Sequence, residues 1–222
     1  MTVHELARAL PDIAVLRDRC RALATLEAII EPDWEYRYYS FDSRWSPGEE
    51  MAAMSNGAGD EWSIVFSPAG AFVRGFDHES PMSPAGNDDE LWPGLVDTVP
   101  EVFSACVAEP AFSFDGVLKA TVCLWRQHAD ERWHTGELVF PAGDDPDGAG
   151  WLFQGLVEGS PEAYQKFAED YHERPVDLAA VAEIFAMRPL TDDLVRRLNA
   201  DLRLADLAKD LAEIGCSSWS AG

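Results

Sequence analysis

Two hydrophobic rhythms divide this chain. Over residues 13–30, Ile13, Leu16, Cys20, Leu23 and Ile30 recur at helical spacing and keep one face apolar. Ahead of them, Thr2 and Glu5 have the spacing of a capping box, and Pro11 suits the opening of a second helical segment. Pro32 in "EPD" forbids continuation. From residue 34 the period shortens to two. "WEYRYYSF" (34–41), "EMAAMSN" (50–56), "EWSIVFS" (61–67) and "AFVRGFD" (71–77) are short runs rich in aromatic or β-branched residues, and their separators are turn chemistry. Connections this short join antiparallel neighbours, so the runs form a meander. Residues 78–98 read as a long loop and 99–109 as a short helix. Two further strands, 118–127 and 132–140, are joined as a hairpin through "HADE". Beyond residue 150 the helical rhythm returns. Ser160 caps a helix that begins with Pro161, Asp177 and Thr191 open two more, and Gly215 closes the last. The pattern predicts one α+β domain over 1–222: helices in 1–31, sheet in 32–141 and helices in 150–216. Its sheet is a single antiparallel meander of about six strands, flanked by N-terminal and C-terminal helices.

Composition supports a folded chain and narrows its surroundings. Of 222 residues, 47% are hydrophobic, with 8 Trp and 11 Phe, enough for a sizeable core. The uncharged run from Trp62 to Val73 is too short to cross a bilayer. "MTVHELARALPD" lacks the basic-then-apolar order of a signal peptide, so a cytoplasmic setting is expected. Cys20, Cys106, Cys123 and Cys216 lie far apart without metal or redox spacing, and reduced, metal-free thiols are expected.

Charge changes the picture more. Forty acidic residues against 17 Lys and Arg give a net charge of −23. The excess is uneven: residues 31–100 hold 14 acidic and 3 basic residues, whereas 1–30 hold four of each. Such a surface repels nucleic acid and anionic lipid and attracts basic partners. Neither nucleic acid nor membrane is expected as a partner. The pattern sets no oligomeric state.

Familiar catalytic signatures are missing: no G-x-S-x-G, no phosphate-binding P-loop, no H-E-x-x-H and no paired C-x-x-C. "NGAGDEW" (56–62) joins two strands instead of opening a helix, so it reads as a turn whose edges, Asn56 and Asp60, could face a ligand. The densest cluster is "FDHES", with Asp77, His78, Glu79 and Ser80 fenced by Pro81. An imidazole among carboxylates could serve as a general base or a metal ligand. Strand alternation, however, turns His78 away from Asp77 and Glu79, and adjacent residues do not make a Ser-His-Asp triad. The cluster is therefore expected to cap backbone groups and to line a cleft, with no metal and no cofactor. In "CLWRQH", Arg126 beside Trp125 is expected to pair with the carboxylates of residues 77–79, the other role being a clamp for a substrate anion.

The strings "WSPGEEMAAMSNGAGDEW", "GFDHESPMSP", "EPAF", "CLWR" and "PLTDDLVRRLN" resemble a group of uncharacterised bacterial proteins. That resemblance covers most of the chain and implies no reaction and no functional residue. In composition and architecture the chain also resembles immunity proteins of bacterial toxin systems. The expectation from sequence is an acidic, immunity-like binding protein that associates with a basic protein rather than an enzyme. The alternative is a hydrolase-like enzyme that binds a small molecule around residues 77–80.

Overall fold

A computed structural model describes residues 1–216. Helices α1 (Val3–Ala9) and α2 (Ile13–Ile30) lead into strands β1 (Tyr39–Ser46), β2 (Glu49–Ser55), β3 (Glu61–Ser67) and β4 (Gly70–Phe76). A long excursion then carries the short helix α3 (Ser104–Val107) and the two-residue strands β5 (Ser113–Phe114) and β6 (Val117–Leu118). The chain returns to the sheet as β7 (Val122–Gln127) and β8 (His134–Thr135). It continues through α4 (Ala149–Leu152), α5 (Gln154–Glu158), α6 (Pro161–Tyr171), α7 (Leu178–Phe185), α8 (Asp192–Leu198) and α9 (Ala208–Ile214).

The fold is α+β. One six-stranded antiparallel sheet has the order β1-β2-β3-β4-β7-β8, and β5 and β6 form a separate hairpin. Register is set from Glu61↔Phe76 to Ser67↔Gly70 between β3 and β4, and from Gly75↔Val122 to Gly70↔Gln127 between β4 and β7.

Three strand expectations shorten. Residues 34–41 begin as a 3-10 turn (Trp34–Tyr36), because the Asp33 side chain accepts the Glu35 N–H and curls the chain before β1. Residues 118–127 join the sheet only from Val122, since the Lys119 N–H is taken by the Phe112 carbonyl. The 132–140 segment keeps just His134–Thr135 as strand. Past Thr135 the excursion lies against it. The Trp92 indole N–H donates to the Val139 carbonyl, and a Cβ at Gly136 would sit 2.0 Å from the Gly94 oxygen. No ladder partner fits in that space.

Contacts divide the chain into two compact units, the first Met1–Ile13 with Ala53–Val157, the second Ala14–Ala52 with the chain from Glu158 onward. In the first, β3 and β4 are buried on both faces, unlike a half-solvated meander strand, and read as near-continuous apolar runs. Trp62 stacks on Phe153 at 6.0 Å and Phe72 tilts against Phe103 at 6.1 Å. Arg74 stands fully inside this core. Its guanidinium donates to Glu61 Oε1 (2.9 Å), the Lys119 carbonyl (2.7 Å) and Ser63 Oγ (3.1 Å), and lies over the Phe112 ring.

In the second unit, α2 is buried on every side from Ala22 to Ile30, as a central core helix must be when it is apolar all round. Thr25 and Glu27 are the polar exceptions in that run, and Glu27 is its one charged residue. The Glu27 carboxylate accepts the Tyr38 N–H (2.9 Å) and the Tyr164 hydroxyl (2.9 Å), with the His172 ring at 3.3 Å, so the buried acid has partners on each side. The helix ends behave as their residues dictate. Ser160, Asp177 and Thr191 accept the N–H groups of Ala163, Ala180 and Leu194, and Gly215 takes the left-handed conformation at φ 80°. All four cysteines are buried and none is in a disulfide. Burial pushes the Cys20 and Cys123 thiols far above the ordinary range. No described helix is long and apolar enough to cross a membrane.

Candidate functional site

The turn between β2 and β3 is built by one side chain. Asn56 Oδ1 accepts the N–H groups of Ala58 (2.8 Å) and Asp60 (3.2 Å), while its amide donates to Asp60 Oδ2 (2.6 Å). This leaves Asp60 Oδ1 directed at the chain leaving β4. There it accepts both the His78 backbone N–H (2.9 Å) and the ring Nδ1–H (2.7 Å). A carboxylate only accepts, so the proton of the neutral imidazole resides on Nδ1.

The electrostatics follow from these contacts. Burial pushes the Asp60 carboxyl up, but the hydrogen bonds from His78 and Asn56 outweigh it and hold the group below the usual range. His78 is raised, first by its hydrogen bond to Asp60, which outweighs the opposing desolvation, with the charges of Asp60, Glu79 and Asp77 adding to it. The ring remains 43% exposed.

Asp77 belongs to the same group but faces another set of donors. Its Oδ1 accepts the Glu79 N–H (3.0 Å) and its Oδ2 the Trp151 indole N–H (3.0 Å). The chain approaches it closely at Gly148, where φ is 74° and a Cβ would fall 2.5 Å from Asp77 Oδ2. Asp60, Asp77 and His78 bring ligand atoms within 4.8 Å of one another, a spacing that could hold a metal ion. Both carboxylates, however, already have both oxygens taken up by donors of the chain, which is the chemistry of a capped loop.

Of the eight residues singled out from sequence, the fold brings Asn56, Asp60, Asp77 and His78 together. Ser80 lies next to them but is buried. Its hydroxyl donates to the Pro146 carbonyl (2.7 Å) and accepts the Met82 N–H (3.0 Å), so it is held as a loop brace, not as a nucleophile. Glu79 is exposed, and its carboxylate has no hydrogen bond or ion pair among the described residues. It therefore neither caps the loop nor meets Arg126; the capping acceptors are Asp77 and Ser80. Trp125 is core, opposite Phe72 in the sheet.

Arg126 is the clearest correction. The β4–β7 register places Val122 beside Gly75 and Arg126 beside Ala71, six residues before Asp77, so the arginine lies about 20 Å along the sheet from the 77–80 loop. Its Nε donates to the Asp130 carbonyl (3.2 Å), and it lines a separate cleft with His4, Arg8, Arg132 and His134. Between β4 and β7 it is Arg74 that pairs with a carboxylate, that of Glu61.

Asp147 was not anticipated. It is fully buried, and its two oxygens accept the N–H groups of Val3 (2.7 Å) and Ala149 (3.2 Å), at the first positions of α1 and α4. Burial raises its carboxyl above the usual range in spite of those donors. A signal existed in "DDPDG", acidic and turn-forming just ahead of a helix, but its other partner is 144 residues away.

Compared with protein-family models, with curated proteins and with solved structures, the chain finds no match.

Proposed function

We propose that this chain is an acidic binding protein whose β4–β7 excursion captures a basic protein partner, in the manner of a toxin-neutralising immunity protein. One observation carries the reading. From Gly75 to Leu118 the chain holds nine Asp and Glu and no Lys or Arg. Seven of these acids, Glu79, Asp88, Asp89, Glu90, Asp97, Glu101 and Asp115, are exposed, and none forms an ion pair among the described residues. Acids that serve only the fold find cations or helix N-termini; apart from Glu101, in the first turn of a 3-10 helix, these have neither, and their field acts outward. Val102 and Phe114 on the same excursion are 52% and 70% exposed and supply apolar contact area once a partner has docked.

The test is kinetic. Steering raises association rates by roughly 10–10³ at low salt and is screened beyond about 8 Å at physiological ionic strength. With the captured basic protein in hand, the on-rate falls steeply with added salt and with the triple change Asp88→Lys, Asp89→Lys, Glu90→Lys, while the off-rate changes little. A neutral or acidic partner, or an on-rate indifferent to salt, defeats the reading.

A second reading, a small-molecule-binding enzyme of hydrolase type around residues 77–80, is favoured by the half-exposed His78 held on a buried carboxylate, as a general base is held. A hydrolysis that is lost on His78→Gln with the fold intact would favour it over the binding protein.

A further inference from the structure

Arg17, Arg21, Arg37, Arg74 and Arg197 pair with carboxylates, and several other arginines have no such pair among the described residues. Three of them line one cleft. Arg8 in the last turn of α1, Arg126 at the end of β7 and Arg132 ahead of β8 border an open volume of about 530 Å³ beside the edge of the sheet, with His4 and His134. None of the three arginines forms an ion pair among the described residues. Arg126 is bonded only to a backbone carbonyl, and the nearest acid to His134 is Asp130 at 3.6 Å. We propose that this cleft is a binding site for a small organic dianion, a phosphate ester or a dicarboxylate.

The argument is one of charge and size. Three guanidiniums and a single lining acid, Glu131, leave a local excess of two positive charges, without counting either imidazole. Like charges that share a cleft repel, and an oxyanion relieves that repulsion while it receives planar, forked donors that match its geometry. The volume falls within the range of about 300–1,000 Å³ usual for small-ligand sites. Ala7, Leu10 and the buried Trp133 line the same space and offer apolar surface to the carbon part of the ligand. Trp133 is fixed there by its indole N–H, which donates to the Pro11 carbonyl at 2.7 Å. A polyanion is the wrong occupant. A nucleic acid or a lipid surface would be repelled by the net charge of −23 over a long approach, whereas a small dianion meets only the cleft. The same net charge works against adventitious anions, so saturable binding of one is diagnostic.

The test is calorimetric titration of the full chain with inorganic phosphate and, separately, with succinate, at matched ionic strength in chloride. Saturable binding of either probe is expected, and which one binds identifies the ligand's oxyanion. Arg8→Gln and Arg132→Gln, both at exposed positions that the fold does not need, weaken it about tenfold or more each, the usual loss for a charge-assisted contact. Arg196→Gln, outside the cleft, leaves it unchanged. Arg126→Gln acts in the same direction as the other two, with circular dichroism confirming its fold. No saturable binding of either probe up to millimolar concentrations overturns the proposal, and so does binding that survives Arg8→Gln and Arg132→Gln intact.

Discussion

Asp60 holds His78 at two points, backbone and ring, and this double attachment makes the residue-scale chemistry testable. His78 is raised in the folded chain, so its contribution to stability is complete below about pH 6.5 and is lost as pH rises through the folded value. Asp60 is lowered, so its contribution is present above about pH 3.9 and is lost as pH falls through the folded value. The pair is at full strength between those limits. In Asp60→Asn, the imidazole titration of His78 followed by NMR moves down towards about 6.5. An unmoved titration curve would mean that the remaining loop charges, not Asp60, set the ring. The neighbouring residues separate in a different way. Glu79→Gln should leave stability within about 0.5 kcal/mol of wild type, because its carboxylate is exposed and has no partner. Ser80→Ala should cost about 1–2 kcal/mol, because it strips a buried donor from the Pro146 carbonyl and a buried acceptor from the Met82 N–H. Equilibrium denaturation of the two variants side by side checks the ordering.

Between elements, the decisive contact is the buried guanidinium of Arg74. Through Glu61 it ties β4 to β3, and through the Lys119 carbonyl and the Phe112 ring it anchors the far end of the acidic excursion. Glu61→Ala should destabilise the chain by about 2 kcal/mol, less than for a fully enclosed pair because the carboxylate side is 27% exposed. Burial pushes the Glu61 carboxyl up, but Arg74 and Lys119 outweigh it and hold it low, so this stability is present above about pH 4.3 and is lost on acidification. A wild-type midpoint in the Glu61→Ala denaturation curve would show that the backbone and Ser63 acceptors suffice for Arg74. The same contact explains what was legible in the sequence. Helix ends were, since Ser160, Asp177 and Thr191 each cap a donor three residues ahead. The strands from Glu49 to Phe76 were, because short turns leave them one mode of pairing. The pairing of arginines was not. Only the register decides that Arg74 meets Ser63 and Glu61 while Arg126 runs past the loop to another cleft. Asn56 and Asp60 were recognised as turn edges and His78 as a loop imidazole, but their meeting depends on β3 and β4 being neighbours of matched length. The shortness of β8 was hidden for a similar reason: what crosses it at Gly136 is chain from forty residues earlier.

Over the whole molecule, the charge of −23 acts in two opposite ways, and salt separates them. Inside the folded chain it is self-repulsion, which favours expansion. Towards a cationic partner it is attraction. Raising the ionic strength from about 0.01 M to 0.15 M shortens the screening length from about 30 Å to about 8 Å and weakens both effects. The melting temperature should therefore rise over that interval while the capture of a basic protein slows. The triple change Asp88→Lys, Asp89→Lys, Glu90→Lys moves the net charge from −23 to −17, since each substitution adds two charges. All three sites are exposed and without ion pairs among the described residues, so the reversal removes repulsion and no folded contact. Its melting temperature at low salt should equal or exceed that of wild type, and its remaining dependence on salt should be shallower, as differential scanning calorimetry would record. A variant that melts lower would mean that these carboxylates hold the excursion together. The acidic loop would then be part of the fold's own economy of contacts, and its charge would no longer argue for a partner.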